Sequence, residues 1–113
     1  MKGSGIFTVQ VDGQEVGLRF GMLSTSYTEE ISGKTIYQIF KEIATGRATP
    51  MLQYFYGGLM AHNYYAKNGK TVDLGDAALL IDRNPDECAR VYAESIKIYT
   101  DGEAQQSGEP VAA

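Results

Sequence analysis

The chain holds one histidine, His62, and one cysteine, Cys88, so any Ser–His–Asp or Cys–His arrangement must use His62. His62 shares a helical face with Phe55 and Leu59, which suits a buried imidazole hydrogen-bonded to backbone better than a general base. Cys88 falls on the apolar stripe of a later helix, with no sequence-adjacent cation to lower its pKa. It reads as a small core residue rather than a nucleophile. One His and one Cys cannot assemble a four-ligand N/S zinc site in a single chain.

Two Gly-Lys-Thr triplets, at residues 33–35 and 69–71, invite a phosphate-loop reading. That loop needs another Gly five residues before its second one, so that backbone N–H groups can wrap a phosphate. Thr28 and Tyr64 stand there instead, and neither triplet follows a strand. Asp82, Asn84 and Asp86 have the spacing of the first three ligands of a calcium-binding helix–loop–helix. The sixth and twelfth positions should then be Gly and Glu, but they are Glu87 and Ala93, and Pro85 interrupts. These residues are helix caps and first-turn acids. No enzymatic site, metal or cofactor is expected.

The remaining chemical signal is aromatic: eight Tyr and no Trp, with four of the Tyr in one stretch, 54–65. Tyr carries an apolar ring and a polar tip, and suits surfaces that are sometimes covered and sometimes wet. Equally, such rings can cap the edges of a small core.

The elements that would position these side chains follow from pattern. Alternating runs at 6–11 and 14–20 flank Asp12-Gly13, a two-residue hairpin signal that pairs Val11 with Gln14, Val9 with Val16 and Phe7 with Leu18. One face then carries Phe7, Val9, Val11, Val16, Leu18 and Phe20. Leu23, Tyr27 and Ile31 recur every four residues and predict a short helix stopped by Gly33. Thr35 with Gln38 three residues on caps a second helix, whose stripe is Ile36, Ile39, Phe40 and Ile43. Thr49-Pro50 predicts the start of a third, running to about Lys67 and stopped by Asn68-Gly69. That helix is apolar nearly all round, so it is either central to the core or faces a partner. Met51, Tyr54, Met60, Tyr64 and Tyr65 are its candidate protein-binding residues. Asp73 with Asp76 caps a segment through Ile81, and Asn84-Pro85 opens a last helix with an inner stripe of Cys88, Tyr92, Ser95, Ile96 and Tyr99. The expected class is α+β: a hairpin at about 6–20 packed on four to five helices. Residues 1–100 form the single domain, and 101–113 a disordered acidic tail.

Composition narrows the function further. The 43% apolar content is that of a globular chain. A lone cysteine excludes an internal disulfide and fits a reducing compartment. No run of about 18 apolar residues predicts a membrane span, and the first five residues lack the apolar stretch of a secretory leader. The tail holds Asp101, Glu103 and Glu109 without a Lys or Arg, and so carries −3 of the net −4. A near-neutral body with an acidic tail argues against nucleic-acid binding, which needs clustered Lys and Arg.

The opening hairpin running into Leu18-Arg19-Phe20-Gly21-Met22, then the helical part with Leu52-Gln53-Tyr54-Phe55-Tyr56-Gly57-Gly58-Leu59-Met60-Ala61-His62, resembles the tail assembly chaperones of long-tailed bacteriophages. The resemblance spans roughly residues 6–100 and is one of element order rather than of a sharp motif. It implies a non-enzymatic protein of the infected bacterial cytoplasm that is absent from the mature virion. Such a protein binds the tape-measure protein, recruits tail-tube subunits in some cases, and can form homo-oligomers. It also implies that a longer frameshifted product can share the same start. A structural or adaptor subunit of a phage particle is the alternative, and a small ligand-binding domain around His62 and Cys88 stands third.

Overall fold

The computed structural model describes residues 5–107, and side-chain surroundings through Thr100. Strands β1 (Gly5–Val11) and β2 (Gln14–Phe20) form an antiparallel hairpin. Five helices follow: α1 (Met22–Ser32), α2 (Ile36–Ala44), α3 (Ala48–Ala66), α4 (Leu74–Arg83) and α5 (Pro85–Ser107). This is the α+β arrangement expected, a hairpin on a helical body.

The hairpin obeys its turn. Asp12 and Gly13 both take positive φ, 52° and 81°, as the two-residue loop requires. The register is Val11↔Gln14, Val9↔Val16 and Phe7↔Leu18. Val9, Leu18 and Phe20 are fully buried, with Phe7, Val11 and Val16 packed around them. In this register the main-chain groups of Gln10 point away from β2. Its N–H donates to Glu87 (3.0 Å), and the Asn84 amide donates to its carbonyl (2.9 Å). Arg83 pairs with Asp12 at the turn. The α4–α5 junction therefore blocks that stretch of β1's edge, where another chain could otherwise pair.

The capping signals largely hold. Thr35 accepts from the Gln38 N–H at 3.2 Å, and Asp73 and Asp76 cap each other reciprocally at 2.9 Å. Glu42 ties α2 to its flanks through Lys34 (2.8 Å) and Arg47 (3.4 Å), and accepts from Gln38 (3.0 Å) one turn back on the same helix. At α3 the start differs from expectation. Arg47, not Thr49, is the N-cap, and Pro50 lies in the first turn. Nothing is lost there, since the first four N–H groups of a helix have no intrahelical partner. The helix ends where expected, at Ala66 with Lys67 as its C-cap at φ 54°.

α1 corrects a second expectation. Its buried residues are Ser24, Thr25 and Thr28, while Ile31 is exposed and Leu23 and Tyr27 are half-buried. The cause lies on α3. Gly57 and Gly58 let α1 and β2 approach the α3 backbone so closely that a Cβ at Gly57 would stand 2.5 Å from the Ser24 carbonyl. Only small side chains fit such a contact, and their hydroxyls need partners. Thr28 donates to the Gln53 carbonyl (3.2 Å), and Ser24 and Thr25 donate to the Gly21 carbonyl (3.0 and 2.7 Å). Tyr99 joins them from α5, 2.9 Å from Thr25.

α3 is thus the central element, covered by α1, α2, α4 and β2. The tail expectation is corrected in part. α5 continues to Ser107, so 101–107 is helical, and 108–113 lies outside the described residues. Extending an existing helix adds one hydrogen bond per residue fixed, and Glu103, Ala104, Gln105 and Gln106 are good helix formers.

Candidate protein-binding surface

The five candidate residues of α3 separate into two groups. Tyr54 is in the core, 1% exposed. Its ring stacks on Phe20 at 4.6 Å and meets Phe40 and Tyr92 edge-on at 5.5 and 5.4 Å. Its hydroxyl lies 2.6 Å from Ser95 Oγ. A partner cannot reach it, so the docking role expected for Tyr54 is withdrawn. Met51 is half-buried and packs against the same core. It stands nine residues before Met60, about 14 Å along the axis, and so belongs to no common patch with the helix's far end.

Met60, Tyr64 and Tyr65 do come together. Only the last turn of α3 runs beyond its neighbours, leaving Tyr64 60% and Tyr65 51% exposed, while Ala61 is buried and Met60 and His62 are half-buried. Their rings meet edge-on at 5.6 Å. Two neighbours were not legible beforehand. The Arg19 guanidinium sits 3.8 Å over the Tyr65 ring, a cation–π contact that fixes the ring without covering its far side. From α1, Tyr27 lines, with Met60 and Tyr64, a groove of about 390 Å³ that the 67–71 loop also borders.

A larger cleft, about 630 Å³, opens on the other side of the same helix end. Val16, Leu59 and Leu80 form its floor, and Glu15, Lys70, Asp76 and Arg83 stand on its rim. His62 lines it and is half-buried, a correction to the buried histidine expected. Its imidazole occupies the space a Cβ at Gly17 would need, so the ring packs flat on the β2 backbone. Cys88 does not line the cleft, and the two residues therefore form no common site.

Cys88 is buried, with its Sγ 3.7 Å from the Leu80 carbonyl. Burial, and then the charge of Glu87, push its thiol up to about 11. At pH 8 that leaves a thiolate fraction of roughly 10⁻³. Native protein is expected to resist a disulfide reagent at pH 8 and to react at once on adding denaturant. Rapid stoichiometric labelling of the folded chain would show that the thiol is reachable.

Among the described residues no group of three or more His, Cys, Asp or Glu is placed to hold a metal ion, and no helix is long and apolar enough to cross a membrane. Comparison with protein-family models, curated proteins and solved structures yields no match.

Proposed function

We propose that this chain is a non-enzymatic assembly chaperone of a phage tail. In that role it holds the tape-measure protein, with tail-tube subunits, in the host bacterial cytoplasm and leaves before the virion is complete. The observation that carries the reading is the end of α3, where Tyr64 and Tyr65 are exposed and half-buried Met60 lies beside Tyr64 in the groove. Adjacent exposed aromatics make a contiguous apolar patch, the kind of surface that marks protein–protein contact sites. Tyr and Met suit a client presenting many similar apolar stretches, because they repack without demanding one geometry. A long helical client offers many such sites, so several copies bound along it gain avidity. The resemblance in element order supplies the identity of that client.

The test is co-expression of the chain with the tape-measure protein of the same phage. The expected result is a soluble complex that co-purifies. Met60→Glu with Tyr64→Glu should abolish it while the thermal transition of the free chain stays within a few degrees. Loss of the fold would instead assign these side chains to the core. Recovery of the chain in purified virions would overturn the chaperone role in favour of a structural or adaptor subunit.

A further inference from the structure

We propose that the groove between Tyr27, Met60 and Tyr64 seats an acid-rimmed amphipathic helix of the client. Apolar side chains enter the groove, and carboxylates meet Lys67 and Lys70. The inference rests on the protein-binding reading above and specifies the chemistry of the bound segment.

Three observations converge. The groove, about 390 Å³, is open and comparable in volume to the smaller ligand pockets of proteins. Its walls are the two Tyr rings and the Met thioether, a surface suited to the apolar stripe of a helix. Its charge is one-sided: Lys67 and Lys70 line it and no carboxylate does. The chain as a whole is −4, so this local sign opposes the global one. Lys34, Arg47, Arg83 and Lys97 each have a carboxylate within ion-pair reach. Among the described residues Lys41, Lys67, Lys70 and Arg90 have none, and of these only Lys67 and Lys70 line the groove. The C-terminus of α3 adds about half a negative charge near Lys67, which two full cations outweigh. Lys70 also stands on the rim of the larger cleft, where Glu15 and Asp76 share the lining with it and Arg83, so Lys67 is the cation that belongs to the groove alone.

Two surface charge contacts contribute about a tenfold preference. The probe is a pair of labelled 20-residue helical peptides with the same Leu face, one rimmed with Glu and one with Lys, titrated against the full chain. The Glu-rimmed peptide should bind about tenfold more tightly, against the direction that net charge alone would favour. Shifted resonances should include Tyr27, Met60 and Tyr64. Lys67→Gln with Lys70→Gln, both at exposed positions, should erase the preference and leave the fold intact, as should high salt. Equal binding of the two peptides, or binding of neither, overturns the inference, whereas co-purification of the tape-measure protein is unaffected by that outcome. Truncation after Thr100 that shifts the same resonances in the unliganded chain would assign the groove to the chain's own acidic segment, and likewise overturn it.

Discussion

Tyr54→Ala is expected to cost about 4 kcal/mol, the scale of losing a fully buried aromatic, and so to remove a large share of the domain's stability. A chain of this size holds only about 5–15 kcal/mol in total. The ring stacks on Phe20 and meets Phe40, Phe55 and Tyr92. Its removal thus unties β2, α2 and α5 together. Tyr54→Phe separates the ring from the hydroxyl. Ser95 donates to the Tyr92 carbonyl at 3.0 Å, so the Tyr54 hydroxyl is the donor in its 2.6 Å bond to Ser95. Without it Ser95 keeps its own acceptor, and the loss should be about 1 kcal/mol. The two proteins should also differ in alkali. Burial, and then the neighbouring Tyr99, raise the Tyr54 phenol well above its ordinary value. The unfolded chain releases that proton near pH 10 while the folded chain keeps it. Tyr54's contribution is therefore complete below pH 10 and declines as pH rises beyond it. Urea midpoints of wild type and Tyr54→Phe should converge above pH 10, and a gap that stays constant would place the phenol in contact with water.

How far such a core could be read in advance depends on what each element leans against. The hairpin was legible because two independent signals, the Asp12-Gly13 turn and the period-two pattern, demand one register. α2 and α5 were legible from caps and one-sided stripes, although Val91, fully buried, escaped the stripe assigned to α5. Of α4 only the Asp73 and Asp76 cap was legible, since no stripe marked the segment as a helix. α1 was not. Its Leu23, Tyr27 and Ile31 repeat is real, but the face that sinks in is set by Gly57 and Gly58, some thirty residues away. Periodicity reports which face is apolar, whereas close backbone approach selects which face is small. α3 posed the converse difficulty. Being apolar all round, it gave no hint which end would be covered, because that depends on how far its neighbours reach. Met60, Tyr64 and Tyr65 were identified and do cluster; Tyr54 and Met51 share their composition but stand where β2, α2 and α5 close over the helix. Lys67 and Lys70 acquire meaning only once the 67–71 loop turns back beside Tyr27.

Gly57 is where this dependence can be measured. In an exposed helix Gly→Ala stabilises by about 1 kcal/mol, so the sign of Gly57→Ala is itself informative. Here the new methyl meets the Ser24 carbonyl at 2.5 Å and the Thr28 hydroxyl closer still. A flexible side-chain tip could swing aside, but the carbonyl belongs to the α1 backbone, so α1 must move as a body. Overpacking of this kind costs about 3 kcal/mol, leaving a net loss near 2 kcal/mol; Gly57→Leu should not fold at all. Thr28→Ala relieves only one of the two contacts, so the Thr28→Ala, Gly57→Ala pair should recover at most about 1 kcal/mol in a double-mutant cycle. The displacement also reaches the binding surface. Tyr27 precedes Thr28 on α1 and forms one wall of the groove beside Met60 and Tyr64. Folded Gly57→Ala protein should therefore bind the Glu-rimmed peptide more weakly than wild type, although no groove residue has changed. If Gly57→Ala proves as stable as wild type, α1 and α3 stand further apart than the small-residue contact requires. The burial of Ser24, Thr25 and Thr28 would then need another cause.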